Sequence, residues 1–252
     1  MSQVRRHELI VDFVNQRGFA NIEQLTSHFM VTPQTIRRDL NQLANEGHIR
    51  RHHGGASSSS STKNSDYNER LSFNTGPKNR IAEEVARSIP NGASLFINIG
   101  TTTEAIARAL LHHEELRIVT NNLHVAAILL PKEDFNVIIA GGQVRSRDGG
   151  IVGEETSDFI NQFKMDFGII GISAIHQDGS LLDYDYREVR VAQNIIENSS
   201  QVILSADHSK FGRTALARLG HISQADHLYT DLTPDQHTLD ILTTHNVKLH
   251  IV

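Results

Sequence analysis

The chain has no cysteine, which removes disulfides, thiolate nucleophiles and cysteine-zinc sites. It also has no apolar run near the roughly 18 residues of a membrane span, and its first 30 residues hold none long enough for a secretory signal. No Walker-type or dinucleotide glycine pattern occurs, which argues against a nucleotide ligand. Among the 15 histidines, neighbours such as His52–His53 and His112–His113 project differently, and no His/Asp/Glu cluster has metal-ligand spacing. Neither a metal nor a cofactor is expected, and no internal repeat is visible. Lysine is missing from residues 1–56, where seven arginines stand against five acids. That stretch carries about +2 in a chain of formal net charge −5, leaving the remainder near −7. Such asymmetry is expected of a nucleic-acid-binding head on an acidic body. A hydrophobic content of 38% over 252 residues is ample for one small and one larger domain. The composition points to the cytoplasm.

Against these absences, residues 32–40 are the most informative stretch. Thr32 suits an N-cap, and Pro33 fits the first helical position, where a missing N–H is harmless. Ile36, Leu40 and Leu43 fall at i, i+4 and i+7 and form one apolar face. Gln34, Thr35, Arg37, Arg38 and Asn41 are left facing outward. Gln pairs bidentately with adenine and Arg with guanine, and recognition helices present such residues from their first turns. An ordinary amphipathic helix has the same polarity, so the flanks matter. Asn21 to Phe29 predicts a shorter helix with Asn21 capping and Gln24 at the capping-box position. Met30 and Val31 form the tight link of a helix-turn-helix. Ile10, Val11 and Val14 mark a first helix stopping near Gly18, and Gly47 is placed to end the recognition helix. Ile49 to His53 reads as a basic strand before a turn at Gly54 and Gly55, a wing on which Arg50 and Arg51 grip DNA. Ser57 to Ser61, with Thr62 and Lys63, reads as a flexible linker. The expected division is a winged helix-turn-helix over 1–56, a linker over 57–77 and a sensing and oligomerisation domain over 78–252.

The body alternates strand and helix. Strands are expected at Ser94 to Ile99, Leu116 to Thr120, Phe135 to Ala140, Met165 to Gly171, Gln201 to Ala206, His227 to Thr230 and Val247 to Ile251. Intervening helices imply an open, mainly parallel α/β sheet covered on both faces, with ligands beyond the carboxyl ends of the strands. Those ends are small and polar: Gly100, Thr101, Thr102 and Thr103; Thr120, Asn121 and Asn122; Gly141 and Gly142; Gly171 to Ser173; and Asp207 to Lys210. Glycines let backbone N–H groups approach an anion, helix N-termini add a favourable dipole, and Lys210 adds a charge. Any one such turn is an ordinary strand ending, whereas five on one rim favour a phosphate site. Asp183, Asp185 and Glu188 have the chemistry of general acids or bases beside Lys210, or of a plain charged loop and helix start.

Arg6, Ile10, Val14, Thr32, Thr35, Ile36, Arg37, Arg38, Asp39 and Leu40 match in type and spacing the N-terminal signature of the DeoR family of bacterial transcriptional repressors, which the whole chain resembles. The resemblance implies an open Rossmann-like effector domain, similar to ribose-5-phosphate isomerases and glucosamine-phosphate deaminases. It places Gly100 to Thr103, Thr120 to Asn122, Gly141, Gly142, Asp207 and Lys210 in a sugar-phosphate pocket. Arg145 to Glu154 and Asp183 to Arg190 resemble one branch of the family, implying control of glycerol and glycerol 3-phosphate metabolism and release from operator DNA by glycerol 3-phosphate. Arg145 and Arg147 would supply a guanidinium clamp for phosphate, unless both segments are solvated loops. A homodimer or homotetramer is expected, because helix-turn-helix heads usually read two half-sites. Three functions remain open: a ligand-released repressor, an isomerase- or deaminase-type enzyme with a DNA-binding head, and a DNA-bound scaffold. The winged helix-turn-helix and the rim together favour the repressor, and no catalytic residue is assigned.

Overall fold

The computed structural model describes residues 3–17, 19–52, 54–58 and 67–252. The head runs α1 (Gln3–Arg17), β1 (Phe19–Asn21), α2 (Ile22–Phe29), α3 (Pro33–Asn45), β2 (Ile49–His52) and β3 (Gly55–Ser58). Its core is Ile10, Val14, Leu25, Ile36, Leu40 and Leu43, the apolar stripes of the three helices facing one another. The Asn21 side chain accepts from the Gln24 N–H while the Gln24 side chain accepts from the Asn21 N–H, completing the capping box. Met30 ends α2 in the left-handed conformation, and Gly47 takes φ 77° just past α3. β3 lies between β1 and β2, all antiparallel, and forms the wing. Gly18 and His53 lie outside the described residues.

The linker expected over 57–77 is altered at both ends. Ser57 and Ser58 belong to β3, where they pair with Arg50 and Ile49. Residues 67–72 form α4 (Tyr67–Ser72), and α5 begins at Thr75 (Thr75–Ser88). The rest of the serine run, residues 59–66, lies outside the described residues.

The body continues with β4 (Ser94–Ile97), α6 (Thr101–Ala109), β5 (Arg117–Thr120), α7 (Leu123–Leu129) and β6 (Asn136–Ile139). A short hairpin of β7 (Gln143–Val144) and β8 (Ile151–Val152) leads to α8 (Glu154–Ile160) and β9 (Met165–Gly171). Then come β10 (Ala174–Ile175), β11 (Ser180–Asp183), α9 (Tyr186–Glu197), β12 (Ser199–Ser205), β13 (Ala217–His221), β14 (His227–Thr230), α10 (Gln236–Thr244) and β15 (Lys248–Ile251). All seven strands expected from the sequence pair in one parallel sheet, in the order β15-β14-β12-β9-β4-β5-β6. Strand residues alternate between two apolar layers: Phe96 and Ile170 face α8, α9 and α10, while Leu95, Ile97 and Ile169 face α5, α6 and α7. A separate antiparallel sheet, β10-β11-β13, rises beside the carboxyl ends. The chain leaves β4 toward β6 in one direction and builds from β9 to β15 in the other. The sheet therefore has its topological switch between β4 and β9, where such folds place their ligands.

Candidate functional site

The head presents a basic face. Thr32 caps α3 by accepting from the Thr35 N–H at 3.2 Å, and its hydroxyl lies 2.9 Å from that of Thr35. Ile36, Leu40 and Leu43 are buried, which turns Gln34, Arg37, Arg38 and Asn41 to solvent. Arg50 projects from the wing, and no acid pairs with Arg37, Arg38 or Arg50 among the described residues. Arg51 instead donates to the Asn41 side chain at 3.1 Å and to the Gly55 carbonyl, tying the wing to the recognition helix. Asp39, on the inner side of α3, receives Arg6 at 2.7 Å and lies 3.0 Å from His7 Nε2. Burial alone would raise the Asp39 carboxyl, but Arg6 and His7 override it and hold it below the usual carboxylate range. This latch fixes α3 against α1 and leaves the outer arginines available.

At the β4/β9 switch, a cavity of about 30 Å³ is lined by Gly100, Thr101 and Thr102 after β4, Ser173 after β9, and Asp183, Glu188, Arg70 and Lys210. Gly100 precedes α6, whose first-turn N–H groups have no partner within the helix. Asp207 lies beneath Lys210. Its Oδ1 accepts from Asn74 and from the Ser209 N–H, while Oδ2 is buried with no partner. Burial would raise the Asp207 carboxyl, but Lys210, Ser209, Lys78 and Asn74 together outweigh it and bring it down to about 2. Burial drives the Lys210 ammonium down to about 7 against the pull of Asp207, and Arg213, Lys78 and Arg70 add to the fall. On the facing wall, burial and the neighbouring Asp183 lift Glu188 to about 8. Cation and carboxyl are thus both held near neutrality within one small space.

The remaining expected pocket residues serve other contacts. Thr103 turns inward and donates to Asn98 and Gly100 carbonyls. Thr120 donates to the Ile97 carbonyl, Asn121 donates to the Ile151 carbonyl, and Asn122 caps α7. Gly141 and Gly142 are exposed beyond β6, away from the switch. Gly142 has φ 142°, and a Cβ there would lie 2.1 Å from the Thr156 hydroxyl, so packing alone explains it. Arg145 does not stand free for a ligand. It binds Asp148 through two nitrogens at 2.9 and 2.8 Å, Glu188 at 2.6 Å and Asp185 at 3.2 Å. Arg147 is half exposed and lies 3.8 Å from both Asp148 and Asp185. The expected clamp is therefore a buried structural network plus a surface arginine. Sequence reasoning missed Arg70 and Arg213. Arg70 falls in the stretch read as linker, and Arg213 belongs to no motif, although a second cation three residues after Lys210 was a visible signal.

Among the described residues no His/Asp/Glu group could hold a metal, and no helix is long and apolar enough to cross a membrane. A model of the DeoR-like helix-turn-helix domain matches residues 6–62, and one of the DeoR C-terminal sensor domain matches residues 74–232. The chain belongs to the DeoR family of transcriptional regulators. It is 55% identical over 251 residues to the glycerol-3-phosphate regulon repressor of Escherichia coli K12, covering 100% of both chains. It is 58% identical over 235 residues to that of Haemophilus influenzae, covering 93% of this chain and 92% of the relative. The E. coli repressor CsqR is 40% identical over 229 residues, covering 91% and 88%. Among solved structures, ribose 5-phosphate isomerase A of Methanocaldococcus jannaschii aligns over 53% of each chain with TM-score 0.39 and 11% identity. Translation initiation factor eIF-2B of Pyrococcus horikoshii aligns over 90% of this chain and 82% of its own, with TM-score 0.47 and 14% identity. Both scores are low, and the fold rests on the strand order described above.

Proposed function

We propose that this chain is a DNA-binding repressor of glycerol and glycerol 3-phosphate metabolism genes, acting in the cytoplasm without enzymatic turnover and released from its operator by glycerol 3-phosphate. The observation that carries this reading is the 55% identity over both full lengths to a glycerol-3-phosphate regulon repressor. Gln34, Arg37 and Arg38 read bases, Thr35 and Asn41 set the helix against the groove, Arg50 holds phosphate, and Arg51 braces the wing. Gly100, Thr101, Thr102 and Lys210 receive the effector, with Asp207 behind Lys210. Asp183 and Glu188 face them, where a polyol hydroxyl needs hydrogen-bond partners. Two or four copies present paired heads to a two-fold operator.

The effector favours an arrangement of the body in which the heads no longer match the operator, and its leverage is its difference in affinity between the two arrangements, typically about 1–3 kcal/mol. The test is release of fluorescent operator by glycerol 3-phosphate, glycerol and inorganic phosphate. Release by the ester at far lower concentration than by either fragment is expected, and equal potency of inorganic phosphate would refute the effector assignment. Glu188 near 8 beside Lys210 near 7 suits proton transfer and favours, as a second reading, an isomerase-type activity. Turnover of ribose 5-phosphate followed by NMR decides it.

A further inference from the structure

β6 is one edge of the seven-stranded sheet and pairs only with β5 among the described residues. The Asn136 and Ala140 N–H groups donate to the Leu116 and Thr120 carbonyls of that neighbour, both at 2.9 Å. Backbone polar groups alternate sides along a strand, so those of Val137 and Ile139 point away from the sheet. An open row of this kind is a template for another strand, and proteins blunt it with charge, proline or a covering element. β6 has no such protection in its sequence. From Phe135 to Val144 the chain carries no ionisable side chain and no proline. Ile139 is 40% exposed within β6, while Leu130 after α7 and Val144 in β7 are 80% and 51% exposed. The opposite edge differs: β15 carries Lys248 and His250, the kind of residue that discourages a free edge from pairing.

The strand is also its own complement. With two copies antiparallel about a two-fold axis through Ile138, Val137 of each lies opposite Ile139 of the other, and each such pair exchanges both its N–H···O bonds. Phe135 and Val137 pack toward α5, α6 and α7, and Ile138 packs on the other face. The pairing therefore sets Val137 against Ile139 on one face and Ile138 against its own counterpart on the other, apolar throughout. Charge agrees at the ends. The exposed Glu133 before β6 comes alongside the β7 end of the second copy, where the half-exposed Arg147 follows. One patch thus satisfies both sides of a two-fold contact, as an isologous interface requires.

We propose that β6 is the pairing edge between two copies of this chain, joined antiparallel at Ile138 so that one sheet runs through both bodies. This rests on the reading that the protein works as a dimer or tetramer, and it names the surface that joins the copies.

The test uses the full-length protein and three variants. Sedimentation of the wild type comes first, and a monomer overturns the oligomer reading and this interface with it. Ile139→Lys charges a side chain already partly in solvent, so the circular dichroism spectrum should not change. Each pair carries the substitution twice, and its dissociation constant should rise about a hundredfold or more. A dimer then sediments as a monomer, and a tetramer as a dimer. The absence of cysteine allows a second test that does not depend on affinity. Ile138→Cys sets a thiol opposite its own copy in a non-hydrogen-bonded pair, where Cα atoms lie about 4.5 Å apart, within disulfide range. Mild oxidation should give a covalent dimer quickly, and Ile251→Cys on β15 should give it slowly or not at all. Wild-type association of Ile139→Lys overturns the β6 interface. So does crosslinking through Ile138→Cys no faster than through Ile251→Cys. In both cases an oligomeric wild type leaves the oligomer reading standing.

Discussion

In the head, Arg37, Arg38 and Arg50 are exposed and face no acid among the described residues, whereas in the body Arg145 is buried against Asp148, Asp185 and Glu188. The contrast separates two uses of one side chain. A guanidinium ringed by carboxylates already has its counter-ions and fixes the loop before β8 to the start of α9. A guanidinium with no partner awaits an anion from outside, which for the head is DNA. By that criterion Arg145 is a structural arginine, and Arg70, which donates to Asp148 at 3.2 Å, shares in the same network.

The largest effect expected from this comparison is on stability. Arg145→Ala takes from Glu188 its one ion-pair partner among the described residues and from Asp148 its two shortest bonds, and should destabilise the protein by about 3–5 kcal/mol, measured by urea denaturation. A change under about 0.5 kcal/mol would place Arg145 among ligand-facing arginines. Next comes DNA recognition. Arg37→Ala or Arg38→Ala should lose about 1–3 kcal/mol of discrimination at one base pair, with stability changed by less than about 0.5 kcal/mol. Unchanged operator binding in both variants would remove α3 from the interface.

A smaller effect is on pH dependence. Burial holds the Lys210 ammonium down to about 7, further than Asp207 raises it. A bound dianion favours the ammonium, so binding takes up a proton, and effector affinity is greatest below pH 7 and falls as pH rises above it. The fall should approach about tenfold per pH unit, since the ester's second ionisation, near 6, is complete by then. Lys210→Arg should make the profile shallower, leaving the part due to Glu188, held at about 8 across the same cavity, and a flat wild-type profile between pH 6.5 and 8.5 would take Lys210 out of the site. The smallest effect is at the wing: Arg50→Ala should lower specific and non-specific affinity together and reduce the salt slope by about 0.9. Preserved non-specific affinity with altered base preference would make the wing a sequence reader.

The long regular elements were legible because their physics is local. Parallel strands buried on both faces are near-continuous apolar runs, so Met165–Gly171 and His227–Thr230 could be bounded to the residue. The recognition helix announced its own cap, first residue and stop in Thr32, Pro33 and Gly47. The two-residue strands of the 143–152 hairpin and the sheet β10-β11-β13 carry too few residues for a period to emerge. The rim was legible only in part. Small polar residues end most strands in a sheet of this kind, and only the ones flanking the switch between β4 and β9 converge on the cavity. Thr120 to Asn122 look the same in sequence but close β5, one strand too far, and are taken up by caps and backbone. Arg145 misled because a guanidinium beside glycines suits phosphate, while its carboxylate partners at 185 and 188 are distant in sequence. Arg70 was invisible for the opposite reason, since a short helix after a serine run carries no sign of the pocket it reaches across 78 residues to Asp148.

The claim at the centre of this account is that a pocket in the body and a reading face in the head share one equilibrium. The most direct measurement is the affinity for glycerol 3-phosphate with and without saturating operator, set beside the operator affinity with and without saturating glycerol 3-phosphate. Linkage requires the two ratios to be equal, and a coupling of about 1–3 kcal/mol makes each about 5- to 150-fold, with operator weakening effector binding. Glycerol 3-phosphate that binds equally well to the free and the operator-bound protein would contradict it.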